Sequence, residues 1–175
     1  MSNHAHTDGL HEERPDGTHV LRYERRLAHP LERVWRAVTE PGELRGWLAD
    51  ARVELREGGA VHLEWLNTDD EGNRAIADGT VARLDPPRLV EYATDLHGVL
   101  RFELAPDGDD ATRLTFTVEH PGIADHLDVV LPGWHIHLEH LADALDGRPV
   151  DWARWGEVHR PRWQELHDRY AAARA

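Results

Sequence analysis

Residues 132–147, Pro-Gly-Trp-His-Ile-His-Leu-Glu-His-Leu-Ala-Asp-Ala-Leu-Asp-Gly, constrain the fold more than any other stretch of this chain. Trp134, Leu138, Leu141 and Leu145 recur at steps of four, three and four residues, the spacing of one helical face. Pro132 reads as a helix start, and Gly147 followed by Pro149 as a stop. The segments ahead of it, from Thr18 to Val118, are short and mostly strand-like. A long helix that follows a run of strands must bury its apolar stripe on the sheet those strands make.

The strands show themselves by alternation. Thr18 to Leu27 ends in a turn at His29-Pro30 and reads as the first. Leu31, Val34, Trp35 and Val38 then share one helical face, Glu40-Pro41-Gly42 breaks that helix, and Glu43 to Leu48 gives a further turn or two. Val53 and Leu55 lie in the next strand, before Gly58-Gly59. Val61, Leu63 and Trp65 alternate with His62, Glu64 and Leu66. Ile76 to Leu84 and Leu89 to Thr94 flank the turn Asp85-Pro86-Pro87. Leu100, Phe102 and Leu104 share a face, as do Leu114, Phe116 and Val118. Such alternation implies an antiparallel sheet with one wet and one buried face. Residues 1–17 are polar and aperiodic and read as a disordered or loosely attached arm. Residues 18–147 form the folded domain. Residues 148–175 carry three of the seven tryptophans and read as a helical extension packed on it, with a helix from about Pro161.

Composition removes whole classes of chemistry. With no cysteine, thiolate zinc sites, disulfides and cysteine nucleophiles are excluded. All twenty basic residues are arginine, which excludes Schiff-base chemistry on lysine. A net charge of -13 disfavours nucleic acid as a partner. No run of about eighteen apolar residues and no apolar core within Met1 to Gly17 point to a cytoplasmic chain with no membrane insertion. There is no P-loop, G-x-G-x-x-G or G-x-S-x-G, and Gly58-Gly59 reads as a bulge or strand entry.

The element order resembles the helix-grip fold of the START-like, Bet v 1-like (SRPBCC) superfamily. At the residue level it is similar to the branch named after the activator of Hsp90 ATPase homologue. The helix pattern P-x-x-V-W-x-A-x-T-x-P-x-x-x-x-x-W is matched by Pro30, Val34, Trp35, Ala37, Thr39, Pro41 and Trp47. Gly58-Gly59, then Gly79 and Val81, Pro86-Pro87 with Leu89 and Val90, the strand Thr112 to Thr117 and the pair Gly133-Trp134 complete the match. The resemblance implies an α+β fold: a curved antiparallel sheet of about six or seven strands around the long helix, two short helices after the first strand, and an extra C-terminal helix. It also implies a cavity between sheet and helix that takes an apolar or polycyclic small molecule. Relatives on this fold include polyketide aromatase/cyclases, lipid carriers, hormone receptors and resistance proteins encoded beside enediyne antibiotics.

Inward faces and cavity edges give the candidate lining: Trp35, Trp47, Trp65, Phe102, Phe116, Trp134, His137, Leu138 and Leu141. For the tryptophans, ordinary core packing competes with this reading. His137 and His140 stand one helical turn apart, but His135 and His137 point about 200° apart and no metal-binding spacing occurs, so neither metal nor cofactor is expected. Pro121 to Leu131 reads as the cavity mouth. Acid–base candidates are His137 and Tyr92, while strand parity puts Glu64 and Arg101 outside. No nucleophile–base–orienter triple is legible, so binding, sequestration or transport of a ligand, in a biosynthetic or antibiotic self-resistance setting, is favoured over a polyketide cyclase or dehydratase. A protein partner in the sense of chaperone ATPase activation is a third reading. The chain is expected to be a monomer or a weak homodimer.

Overall fold

The computed structural model of the chain describes residues 5–175. Strands β1 (Ala5–His6), β2 (Leu10–Glu13) and β3 (His19–Leu27) lead into helices α1 (Leu31–Thr39) and α2 (Pro41–Leu44). Strands β4 (Asp50–Val53), β5 (Ala60–Glu64), β6 (Ile76–Asp85), β7 (Leu89–Thr94), β8 (Gly98–Pro106) and β9 (Thr112–His120) follow. The chain closes with α3 (Leu127–Leu145), α4 (Trp155–Val158) and α5 (Arg160–Arg174). The strands form one antiparallel sheet of nine, ordered β1-β3-β9-β8-β7-β6-β5-β4, with β2 also paired to β3. Among the described residues no helix is long and apolar enough to cross a membrane.

Strand parity decides what fills the interior. Leu100, Phe102 and Leu104 of β8 and Leu114, Phe116 and Val118 of β9 are all buried, as their spacing of two requires. Phe102 faces Phe116 across the β8–β9 ladder, with ring centroids 4.7 Å apart. Leu138, Leu141 and Leu145 of α3 close over them in one core cluster. Gly58 (φ +78°) donates its N–H to the Val81 carbonyl, and the Val81 N–H returns to the Gly59 carbonyl, so the Gly-Gly pair is a strand entry.

Two expectations are corrected here. Residues 5–13 are not a disordered arm; residues 5–6 and 10–13 pair with β3. Hydrophobic periodicity could not show this, because all of β2 is exposed. Polar anchors hold the arm instead. Arg25, an inward-facing cation in a row of apolar side chains, donates from Nη1 to the Thr7 carbonyl at 2.8 Å. The Gly9 N–H donates to the Tyr170 hydroxyl at 2.6 Å, and Arg169 pairs with Asp8 at 2.8 Å. Residues 1–4 of that predicted arm lie outside the described residues.

The second correction concerns the long helix. It begins at Leu127, five residues before Pro132, which sits inside it. Pro132 forgoes one backbone bond to the carbonyl four residues back, yet Leu127 and Leu131 bury in the core and hold the extra turn. The predicted mouth loop therefore shrinks to residues 121–126. The other side of α3 is covered as well: Ile136 packs with Trp155 and Leu166, flanked by Val150, Trp152 and Trp163. That second cover explains why α3 is buried on most of its sides.

Candidate functional site

A small opening into the interior lies at the N-terminal half of α3. Three elements meet there. The Trp65 N–H donates to the Ala75 carbonyl at 2.9 Å, which prolongs the β5–β6 ladder and keeps the indole on the inward side. The β7–β8 hairpin delivers His97: the Thr94 hydroxyl accepts the His97 N–H at 3.1 Å and donates to the Gly98 carbonyl at 3.0 Å. From α3 come Trp134 and His137, one turn apart. With Val129, Val130 and Gly133 these four rings line a cavity of 170 Å³. The Trp65 and His97 centroids lie 4.3 Å apart, and Trp134 meets Trp65 edge-on at 6.1 Å. Trp134 also leans on Phe116 at 5.1 Å, which ties the cavity's back wall to the core stack. Trp65, His97 and Val129 also line an outer groove of 760 Å³ that runs past the 67–75 connection to Trp155 and Trp163.

Both imidazoles in the wall are neutral at pH 7. Burial pushes His137 down to about 4, partly opposed by its bond to the Trp47 carbonyl. That bond, 2.9 Å from Nδ1, fixes the tautomer: a carbonyl only accepts, so Nδ1 carries the proton and Nε2 keeps a lone pair. Burial, with His137 nearby, pushes His97 to about 4. His97 Nε2 is buried with no hydrogen-bond partner in the structure. A buried polar atom left this way carries a desolvation cost of about 1–3 kcal/mol until something bonds to it.

Gly98 sets the hairpin that aims His97. Its φ is +68°, and a Cβ there would strike the Glu119 carbonyl of β9. Gly98→Ala should therefore cost about 2–4 kcal/mol in a urea titration, from the left-handed backbone and the clash together. A loss below about 1 kcal/mol would contradict this account.

Of the sequence-derived lining candidates, Trp65, Trp134 and His137 are brought together at this cavity. Trp35, Trp47, Phe102, Phe116, Leu138 and Leu141 are not among the residues that line it; they pack in or against the core cluster. The physical reason is volume. Trp47 and Tyr92 both meet Phe102 edge-on at 6.1 Å, and Phe102 stacks on Phe116, so aromatic rings fill the space a wide internal cavity would need. Trp47 donates its indole N–H to the Ala37 carbonyl and Tyr92 its hydroxyl to the Val38 carbonyl, both at 2.8 Å. Burial raises the Tyr92 hydroxyl far above its ordinary range, which unsuits it to proton transfer. Glu64 and Arg101 are on the outer face, paired with Arg74 and with Glu91 and Glu119.

The other helix histidines serve the C-terminal extension. His140 Nε2 accepts the Trp155 indole N–H at 3.1 Å, and burial beside His137 and His159 drives its pKa down to about 2. The Tyr170 hydroxyl, which accepts from Gly9, donates to His135 Nδ1 at 2.8 Å. Glu139, clamped by Arg162 at 2.6 Å, is held near 2 by that pairing and by His135 against the opposing effect of burial. Among the described residues no group of three His, Asp or Glu side chains is placed to hold a metal. Sequence reasoning missed His97, whereas Val129 and Val130 fall within Pro121 to Leu131, the stretch that reads as the cavity mouth. A histidine in a hairpin turn carries no periodicity, and only the fold brings it against Trp65.

Comparison with known proteins follows this geometry. Residues 28–146 match the sequence profile of the family described as Activator of Hsp90 ATPase homolog 1-like protein. Among curated proteins none matches the chain. Among solved structures, CalU16 from Micromonospora echinospora is 25% identical, covering 96% of this chain and 98% of its own, with a TM-score of 0.69. The protein encoded by BPP1335 from Bordetella parapertussis is likewise 25% identical, over 95% of this chain and 91% of its own, at a TM-score of 0.66. A conserved protein of unknown function from Enterococcus faecalis shares the fold alone, with 15% identity, a TM-score of 0.70, and 94% and 89% coverage of the two chains.

Proposed function

Since this chain belongs to the family of Activator of Hsp90 ATPase homolog 1-like proteins, on a superfamily fold that generally binds small molecules, we propose that it binds an apolar aromatic ligand at the Trp65–His97–Trp134–His137 cavity, to sequester or carry it. The observation that carries this reading is His97 Nε2, buried and unpartnered in a wall that it shares with two indoles, two valines, Gly133 and His137. Cavities near 150 Å³ take a benzene-sized molecule. A volume of 170 Å³ thus suits one ring, or the end of a polycycle whose remainder lies in the outer groove. Binding would come from burial of aromatic surface, at about 25 cal/mol per Å², with the imidazole lone pairs orienting a hydroxyl or N–H of the ligand. The alternative of a cyclase or dehydratase is less well supported. A His137 held near 4 is poorly matched to proton abstraction at neutral pH.

Gly133 provides the test. It lies in the middle of α3 and in the cavity wall, and a Cβ added to it meets nothing within 4 Å. Gly133→Leu should stabilise the helix by about 1 kcal/mol and fill the cavity. Saturable quenching of tryptophan fluorescence by naphthol-type ligands should be seen in the parent and be lost in the variant. A variant that binds as well as its parent would sink the assignment of this cavity.

A further inference from the structure

Beside the outer groove lies a second pocket with a different chemistry. It has a volume of 570 Å³, and its charged lining residues are Arg45, Arg74 and Arg160, with no carboxylate among them. In a chain with 33 acidic and 20 basic residues, three guanidinium groups around one concavity stand against the general charge. The indoles of Trp152 and Trp155 form its apolar wall. The Trp152 N–H donates to the Arg45 carbonyl at 2.7 Å, and the Val150 N–H to the Gly46 carbonyl at 2.8 Å. The C-terminal extension thereby closes one side of the pocket. Trp152, Trp155 and Arg160 all lie outside the stretch that matches the family, residues 28–146.

The pocket adjoins the outer groove and shares part of its lining. Arg74, Trp155 and Arg160 line both it and the outer groove, and the groove shares Trp65 and His97 with the cavity. Asn67 lines both pocket and groove, and its buried side-chain Oδ1 has no hydrogen-bond partner in the structure.

The geometry points to an amphipathic anion as the ligand: an aromatic carboxylate whose ring enters the cavity and whose carboxylate is held by Arg45, Arg74 and Arg160. The inference rests on the cavity reading above and names the class of molecule that reading left open. Each arginine already touches one carboxylate, Arg45 on Asp50 at 3.1 Å, Arg74 on Glu64 at 2.9 Å and Arg160 on Asp70 at 2.8 Å. Each contact is made through a single Nη1, whereas a guanidinium offers five N–H donors. All three side chains are about half exposed, and ion pairs of that kind are weak enough to share or exchange a partner. A carboxylate matches the planar fork of arginine.

The experiment uses the full chain and a matched pair of probes, naphthylbutyrate and naphthylbutanol, measured by calorimetry at low and high ionic strength. The carboxylate should bind about tenfold more tightly than the alcohol, and added salt should shrink that preference. Arg74→Gln combined with Arg160→Gln should bring the acid's affinity down to that of the alcohol. Arg45→Gln alone should act in the same direction, a second readout should the double variant fold poorly. Equal affinity of the parent for acid and alcohol overturns the anion inference while the cavity reading stands. A preference that survives in the arginine variants overturns it too, because the charge is then read elsewhere. If neither probe binds, the cavity reading and this inference fall together.

Discussion

Lowering the pH from 6 to 5 should remove about 3 kcal/mol of folding stability. The cause is three buried imidazoles, His97, His137 and His140, held at about 4, about 4 and about 2 against an unfolded value of 6.5. A folded pKa below the unfolded one means that the unfolded chain takes up the proton first. The stability these groups contribute is complete above pH 6.5 and is lost as the pH falls toward 4 for His97 and His137 and toward 2 for His140. Between pH 6 and 5 each contributes about 1 kcal/mol of that loss, out of a total of about 5–15 kcal/mol for an ordinary domain. The neighbours favour neutrality. His137 sits among Trp134, Trp152 and His140, and His140 faces His137, His159 and the Trp155 indole, with Glu139 the one opposing charge. Asp95 opposes the shift at His97, where His120 and His137 reinforce it. Urea titrations at half-unit pH steps measure the slope directly. His140→Gln, which keeps an acceptor for Trp155, should flatten it by about a third. A stability that does not change between pH 6.5 and 5 would show that these rings are not buried as described.

Trp47→Ala should destabilise the fold by about 3–5 kcal/mol. The side chain is 1% exposed, meets Phe102 edge-on, and caps the Ala37 carbonyl at the end of α1. Its loss leaves a cavity and an orphaned acceptor together. Trp47 also separates core from site. It is not in the wall of the 170 Å³ cavity, so the fraction of the variant that remains folded should bind ligand with nearly the parent's Kd. A Trp65→Ala variant should lose binding as well as stability, because Trp65 lines the cavity and is also buried in the core cluster. Denaturant unfolding and ligand titration on the same samples distinguish the two. Loss of binding in Trp47→Ala without loss of stability would return that residue to the ligand wall.

The contrast between those two tryptophans shows what the sequence made legible. Period-two alternation placed Leu100, Phe102, Leu114 and Phe116 on the inner face, and the helical stripe from Trp134 to Leu145 placed α3 against them. Parity tells inside from outside, however, and says nothing of whether the inside is full. Phe102 and Phe116 are inward and also stacked on each other, which only three-dimensional packing reveals. His97 escaped for the opposite reason: it lies in a turn, and its position is fixed by Thr94 and Gly98. The start of α3 was misplaced because a proline at a helix start is common, while Leu127 and Leu131 hold a turn ahead of it by tertiary burial alone. The arm over residues 5–13 was illegible because main-chain pairing and polar anchors secure it, and neither leaves a hydrophobic pattern.

That arm has a consequence for how copies of this protein behave toward one another. Without it, the nine-residue strand β3 would present a free row of amides and carbonyls along the flank opposite β9. Such a flank is a template onto which another chain can add. The arm occupies it from His19 to Arg22 and again at Arg25 and Arg26. What faces outward in its place is a short strand, Leu10–Glu13, that ends in two glutamates. Growth by strand addition is disfavoured there by brevity and by like charge, so the segment that reads as the least structured part of the sequence guards that edge of the sheet.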